Sequence, residues 1–337
     1  MYQQPFHTKD ISNSTFLITG GAGFIGSNIV EYLLKYNAGK VRVLDNFSTG
    51  HISNLQDYLH LTNFELMEGD IRHADTCCQA ANNVQYLLHQ AALGSVPRSI
   101  DDPITSNDVN VGGFVNMLVA ARDAGVQRMV YAASSSTYGD HPALPKTEDA
   151  IGKPLSPYAV TKLVNELYAD VFSRVYNFHT IGLRYFNVFG PRQNPRGPYA
   201  AVIPLFIEAA LKGESPYING DGETSRDFTF VENAVQANIS AVLADNITQH
   251  EVVNIAFGKR TTLNELWQYI AEYTGINNTP IYGEERKGDV KHSLADIAKA
   301  KQLIGYKPEI NVHKGLQTTI AWYAKAFADK TEQLMSE

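Results

Sequence analysis

The feature that most constrains this chain is eight residues long: Thr19-Gly20-Gly21-Ala22-Gly23-Phe24-Ile25-Gly26. It follows a short β-rich run, Thr15–Thr19, and leads into a helical stretch through Asn28–Leu34. In that context the glycines have separate tasks. Gly20 or Gly21 permits a tight turn, Gly23 lets backbone amides approach a pyrophosphate at the positive end of the helix, and Gly26 lets helix and strand pack closely. A glycine turn alone is weak evidence. Asp45, however, ends the next β-rich run, Lys40–Asp45, and stands 19 residues beyond Gly26. There its carboxylate can accept hydrogen bonds from an adenine ribose and repel a 2′-phosphate, so NAD is expected rather than NADP. Asp70-Ile71, after the run Phe64–Gly69, offers an acid and an apolar side chain to flank the adenine.

The alternation continues with Tyr86–Gln90, a long helix near Val109–Ala124, and Arg128–Ala132. Short β-rich runs alternating with helices predict an α/β fold, a parallel sheet covered on both faces. At 337 residues and 44% hydrophobic content, the chain has ample material for such a core. From about Asn187 the pattern breaks at Gly190-Pro191, Asn194-Pro195 and Gly197-Pro198. A helix near Ile203–Lys212, a turn-rich stretch at Asn219–Thr224 and a helix opened by Thr262, with Glu265 completing a capping box, follow. This region is too interrupted for a large independent domain and is expected to form a smaller lobe closing a cleft over the end of the sheet.

Charge narrows the partners. Lys plus Arg is 28 against 35 Asp plus Glu, a net charge of −7, with no basic run, so nucleic acid is not an expected partner. The only cysteines, Cys77 and Cys78, are adjacent and poorly placed for a structural disulfide, which suits a reducing compartment. The first residues lack a basic and an apolar signal region, and no run reaches the ~18–20 apolar residues that span a bilayer. The expectation is a cytoplasmic protein with no membrane partner and no metal.

A second motif is Ser156-Pro157-Tyr158-Ala159-Val160-Thr161-Lys162. Serine suits a helix cap and proline its first position, so Tyr158 and Lys162 share one face of a starting helix. A tyrosine with pKa ~10 is a poor base at neutral pH, and lowering it by ~3 units takes ~4 kcal/mol of phenolate stabilisation. Lys162, the helix end and a nicotinamide cation can supply that together. A third motif, Ala132-Ala133-Ser134-Ser135-Ser136-Thr137-Tyr138-Gly139, follows the run Arg128–Ala132, where hydroxyl side chains at a strand's carboxyl end project into a ligand crevice.

In this order Thr19–Gly26, Leu44-Asp45-Asn46, Ser134–Gly139, Tyr158–Lys162, the segment Arg184-Tyr185-Phe186-Asn187-Val188-Phe189-Gly190-Pro191, and Arg226-Asp227-Phe228 resemble the extended short-chain dehydrogenase/reductase superfamily, in particular its nucleotide-sugar epimerases. The resemblance runs from about Thr15 to about Pro308. It implies a Rossmann doubly wound parallel sheet that holds NAD, with a smaller α/β carboxyl-terminal lobe for a nucleoside-diphospho sugar. Residues 1–187, joined by a later segment near 228–258, would form the NAD-binding domain, and 188–337 mainly the substrate lobe. Tyr158 would be the catalytic base, Lys162 would bind the nicotinamide ribose and depress the tyrosine pKa, and Ser134 would hold the sugar hydroxyl. Ser135 and Ser136 would line the sugar pocket. NAD would be held by Gly20, Gly23, Phe24, Ile25, Gly26, Asp45, Asn46, Ser48, Gly50, Asp70, Ile71, Gln90, Ala91, Ala92 and Tyr185, beside Tyr158 and Lys162. Asn187, Arg226 and Arg286 would hold the diphosphate and Asp289 the uridine ribose. The resemblance also implies a homodimer through the helices near Val109–Ala124 and Pro157–Tyr176. The apolar run Val109, Val111, Phe114, Val115, Leu118 and Val119 is compatible with that, and equally with a helix buried inside one chain.

Departures from the family pattern shape the functional expectation. His89-Gln90-Ala91-Ala92 stands where hexose epimerases commonly show His-Leu-Ala-Ala, and Ala200-Ala201 where they show an asparagine pair. Sugar dehydratases carry Thr-Asp-Glu in place of Ser134-Ser135-Ser136, and uronate decarboxylases a glutamate in place of Ser136, so elimination and decarboxylation lack their acid here. Ser293, four residues beyond Asp289, occupies a wall position that is bulky in enzymes restricted to UDP-glucose and UDP-galactose and small in those accepting an N-acetyl group. The expectation is NAD-dependent 4-epimerisation of UDP-N-acetylglucosamine and UDP-N-acetylgalactosamine through a transient 4-keto sugar, supplying polysaccharide precursors. UDP-uronate or UDP-glucose 4-epimerisation is the alternative among enzymes, and a catalytically silent NAD-binding sensor or scaffold the alternative from another class.

Overall fold

The β-rich runs of the amino-terminal half form β1 (Thr15–Thr19), β2 (Lys40–Asp45), β3 (Phe64–Glu68), β4 (Tyr86–His89), β5 (Arg128–Ser134) and β6 (Thr180–Tyr185) in a computed structural model that describes residues 1–194, 201–285 and 291–336. Between them run α1 (Phe24–Lys35), α2 (Ala74–Ala81), α3 (Val96–Asp101), α4 (Pro103–Asn107), α5 (Phe114–Asp123) and α6 (Pro157–Tyr176). Further on come β7 (Val188–Phe189), α7 (Val202–Lys212), β8 (Tyr217–Asn219), β9 (Ser225–Asp227), β10 (Thr229–Phe230), α8 (Val231–Val242) and β11 (Glu251–Ile255). The last elements are β12 (Arg260–Thr262), α9 (Leu263–Thr274), β13 (Ile281–Gly283), α10 (Ala298–Ile304) and α11 (Val312–Ser336).

Seven parallel strands form one sheet in the order β11-β6-β5-β4-β1-β2-β3. Side chains alternate between its faces with period two. Phe16, Ile18, Val43, Leu88 and Val130 join a core with Ile29 and Leu33 of α1 and Val235 and Ile239 of α8. Leu17, Leu44, Leu87, Met129 and Tyr131 face the other way, against Met117 and Leu118 of α5 and Phe172 of α6. Each such fully buried aliphatic side chain contributes ~1.5–3 kcal/mol, which drives the layering. The chain winds outward from β1 through β2 to β3, then crosses back so that β4 lies on β1's other side. This reversal opens a crevice beyond the carboxyl ends of β1 and β4.

Three two-stranded sheets, β10-β7, β12-β9 and β13-β8, accompany a third core of Phe206 and Ile207 of α7, Leu266 and Trp267 of α9, and Leu316 of α11. The capping box at Thr262 and Glu265 is formed in both directions, and α7 begins and ends within a residue of its expected span.

Three local differences from the sequence expectation stand out. The long helix near Val109–Ala124 is interrupted by a π-helical segment, Asp108–Gly113, between α4 and α5. A Cβ on Gly113 would stand 2.5 Å from Ile71 Cδ1, so glycine there lets the helix approach the end of β3. In the same run, Phe114 and Leu118 are fully buried within the chain's own core. Second, β5 continues to Ser134, which is therefore the last residue of a strand rather than part of the loop after it. Third, the residues before Thr15 are built into the fold: Tyr2 and Ile11 are buried, and the Tyr2 hydroxyl donates to the Asn28 carbonyl at 3.1 Å. Among the described residues no helix is long and apolar enough to cross a membrane, and no group of three His, Cys, Asp or Glu is placed to hold a metal ion.

Candidate active site

The crevice is a cavity of about 520 Å³, and its first wall is backbone. Gly20 has φ +68°, which assigns the tight turn to Gly20; at Gly21 a Cβ would strike the Val43 methyls at 2.6 Å. A Cβ on Gly26 would collide with the Gly20 carbonyl oxygen, so only glycine lets α1 start this close to the turn. Asp45 is 7% exposed, and its two oxygens accept from the Ala22 N–H at 2.9 Å and the Phe47 N–H at 2.8 Å. Burial raises its pKa, opposed by those amides. The carboxylate thus braces the glycine turn while lining the cavity. Beside it Asn46 donates to Asp70 at 2.9 Å, and Arg72 pairs with the same carboxylate at 2.7 Å, holding Asp70 far below the usual carboxylate range.

The opposite wall is built from β5, β6 and the start of α6. Ser156 caps α6 by accepting from the Ala159 N–H, and Pro157 is its first residue. The Tyr158 N–H donates to Ser99 Oγ at 2.9 Å, tying the helix start to α3. One turn on, Lys162 is buried; its Nζ donates to the Ala132 carbonyl at 2.8 Å and stands 5.9 Å from the centre of the Tyr158 ring. Burial pushes the Lys162 pKa down to about 8, opposed by Glu166. Ser134 Oγ accepts from the Ser136 N–H at 3.1 Å and from Ser136 Oγ at 2.9 Å. The polypeptide alone does not produce the lowered tyrosine pKa that the sequence anticipates: burial raises the Tyr158 phenol, and the Ser134 hydroxyl pulls it back only in part. Below them His89 is kept neutral at pKa about 3 by burial and by Lys162, with Nδ1 2.8 Å from Thr19 Oγ1.

Of the residues singled out from the sequence, Gly20, Gly23, Phe24, Ile25, Gly26, Asp45, Asn46, Ser48, Asp70, Ile71, Gln90, Ala91, Ala92, Ser134, Ser135, Tyr158, Lys162, Tyr185 and Asn187 border this one cavity. Gly50 lies behind the wall, where a Cβ would stand 2.9 Å from the Ala22 backbone. Ser136 is one step back, bonded to Ser134. Arg226 donates to the Ser225 and Lys291 carbonyls, and the Ser293 N–H donates to the Ser225 carbonyl, both beside β9 and off the cavity wall. Arg286 and Asp289 lie outside the described residues.

The wall also contains residues that sequence reasoning did not single out, among them Thr49, Leu93 and Gly94, and Val109, which was read only as part of an apolar helical run. Asn110 holds this side: its side chain accepts from the Leu93 N–H at 2.7 Å and donates to the Leu93 carbonyl and to Thr161 Oγ1, both at 3.2 Å. The signal in the sequence was weak: an asparagine between Val109 and Val111, in a helical run that also carries Asn116.

Comparison with known proteins agrees with this architecture. Residues 16–256 match the NAD dependent epimerase/dehydratase family, and the chain belongs to that family. It is similar to the UDP-glucose 4-epimerase of Mycolicibacterium smegmatis, 37% identical over 91% of this chain and 97% of the relative. Among solved structures it is similar to the UDP-N-acetylglucosamine 4-epimerase of Methanobrevibacter ruminantium M1 in complex with UDP-N-acetylmuramic acid, at 39% identity and TM-score 0.88, over 94% and 99% of the two chains. It is also similar to the Thermus thermophilus UDP-glucose 4-epimerase in complex with NAD, at 32% identity and TM-score 0.82, over 93% and 99%. NAD is the family's cofactor, and the residues here fit it: a glycine cradle that any Cβ would fill, and a carboxylate at the end of β2.

Proposed function

We propose that this protein is an NAD-dependent UDP-sugar 4-epimerase whose preferred pair is UDP-N-acetylglucosamine and UDP-N-acetylgalactosamine. The observation that carries the activity is the convergence of Tyr158, Lys162 and Ser134 on the cavity that opens at the glycine turn. NAD, when bound, supplies the reversible two-electron oxidation of the sugar's C4 alcohol. Gly20, Gly23 and Gly26 would admit its pyrophosphate, and Asp45 would accept from its adenine ribose. Tyr158 Oη takes the proton of the 4-hydroxyl and returns it after the 4-keto sugar has presented its other face. Ser134 holds that hydroxyl, and Lys162, fixed by the Ala132 carbonyl, orients the cofactor's ribose and favours the phenolate. Because burial raises the Tyr158 pKa, Lys162, the helix end and the cofactor's positive ring would together have to favour the phenolate.

The N-acetyl preference is supported by the small side chain of Ser293 and by similarity to the M. ruminantium enzyme. Ser293 stands beside β9, off the wall of the NAD cavity; in this reading it borders the sugar's place instead, where a tyrosine would fill the space into which an acetamido group swings, and overpacking costs ~1–3 kcal/mol. Proton NMR of UDP-N-acetylglucosamine, UDP-glucose and UDP-glucuronate, each incubated with the protein, tests this. The expected result is the highest kcat/KM on the N-acetyl sugar, with Ser293→Tyr lowering that turnover ~5–10-fold more than turnover of UDP-glucose. A higher kcat/KM on UDP-glucose or the uronate rejects the preference, and NAD binding without turnover of any of them rejects the enzyme.

The same reading assigns residues 1–187, with the segment near 228–258, to the cofactor and 188–337 mainly to the sugar nucleotide. It includes a homodimer, supported by an exposed apolar stripe along α6: Val160, Leu167, Tyr168, Val171 and Val175, at helical spacing. Light scattering at micromolar concentration should return twice the chain mass; the mass of one chain would count against the dimer.

A further inference from the structure

Three polar side chains from separate elements close a ring of hydrogen bonds beside the cavity: Gln90, just past β4; Tyr185, the last residue of β6; and Asn238, in α8. The Asn238 Nδ2 donates to the Ala234 carbonyl at 2.8 Å and to Tyr185 Oη at 2.7 Å. A carbonyl only accepts, so the orientation of that amide is settled by the helix backbone. Having accepted from Asn238, Tyr185 Oη gives its single proton to Gln90 Oε1 at 3.2 Å. Gln90 must then turn its nitrogen to Asn238 Oδ1, and it does so at 3.0 Å. Each bond dictates the direction of the next. Asn238 is fully buried, whereas Gln90 and Tyr185 border the cavity.

We propose that Gln90 and Asn238 are positioning residues that lock the ring and the hydroxyl proton of Tyr185, making it a fixed wall for the cofactor and leaving the second Gln90 N–H as the donor that this network offers to a bound ligand. The inference deepens the reading of the cavity as an NAD site and rests on it. It also explains why two tyrosines on one cavity have different work. Tyr185 has its single proton committed to Gln90 Oε1 and none free to move, so proton transfer falls to Tyr158. No single strand or helix carries this arrangement; it exists because β4, β6 and α8 meet behind the crevice.

The test is NADH titration of the purified full chain, with binding and nicotinamide emission followed by fluorescence, alongside kcat, KM and thermal unfolding. Gln90→Leu keeps most of the volume but strands the Tyr185 proton and Asn238 Oδ1. The expected result is about ten-fold weaker NADH binding with altered emission of the bound cofactor, and a lower kcat at little-changed sugar KM. Tyr185→Phe keeps the ring and the Gln90–Asn238 bond, and should weaken binding only about two- to three-fold. In the double variant the two effects should combine non-additively, because they break one network. If Gln90→Leu does not fold, Tyr185→Phe decides by the same readouts. Emission and affinity unchanged from the parent, whatever happens to Tm, would overturn the positioning role and leave a structural one. A parent that does not bind NADH would instead overturn the reading of the cavity itself.

Discussion

The two walls of the cavity are made of different material. One is the turn at Gly20–Gly26, where backbone does the shaping and the requirement is that side chains be absent; the other is the meeting of β5, β6 and α6, where the side chains of Tyr158, Lys162 and Ser134 line the cavity. Sterics governs the first wall: a single added carbon at Gly26 would collide with the Gly20 carbonyl oxygen. The second is governed by desolvation. Lys162 sits against one carbonyl, burial pushes its pKa down to about 8, and burial raises the Tyr158 phenol. The lesson is that the backbone wall is shaped by what its residues lack, whereas the chemical wall is built of buried titratable groups whose pKa values desolvation displaces.

Substitutions can break or sharpen this contrast. The largest effect is expected at Tyr158→Phe, which removes the proton acceptor and almost no volume: kcat should fall ~10³-fold or more with sugar affinity preserved, measured by NMR turnover and substrate titration. Activity at a tenth of the parent would show that another group moves the proton. Gly26→Ala adds one methyl to the backbone wall and should weaken NADH binding about 10–100-fold while leaving Tyr158 and Lys162 in place. Asp45→Ala removes an acceptor and a repulsive charge together, so NAD should bind about ten-fold more weakly and the discrimination against NADP should narrow. Release of NADP on denaturing the parent protein would refute the assignment of Asp45.

The smallest effect carries an informative sign. The folded-state pKa of Lys162, about 8, lies below its ordinary value, so the penalty for burying its charge is fully present below pH 8 and is relieved as the pH rises above it. Lys162→Met should therefore stabilise the cofactor-free protein by about 1 kcal/mol at pH 7, while activity is lost. A lower Tm for this variant, measured by calorimetry without NAD, would mean that the bond to the Ala132 carbonyl outweighs the buried charge.

How much could be read beforehand follows the range of the interactions. The glycine turn, Asp45, the capped start of α6 and the capping box of α9 are local patterns of a few residues, and the structure forms each of them. Gly50 is matched to a cofactor contact by resemblance, and only the structure shows that it also packs against the Ala22 backbone, where a Cβ would stand 2.9 Å away. Phe114 and Leu118 suit a subunit face as well as a core until α5 packs on the sheet and buries them. Tyr2 gave no signal, because its partners Asn28 and Glu232 are far along the chain.

By itself the sequence determined the alternation of strands and helices, the steric demand at the turn, and the spacing of Tyr158 and Lys162 on one helical face. These depend on backbone geometry and on periods of two and 3.6 residues, which are written within one element. The tertiary structure alone decided that β4 lies on β1's other side from β2, so that a cavity opens beyond their carboxyl ends, that Lys162 meets Ala132, that Asn110 clasps Leu93, and that Gln90, Tyr185 and Asn238 close a ring. The physical reason is that a buried polar group must find a partner wherever packing brings one, and residues distant in the chain become neighbours only after the apolar faces of the sheet have been covered.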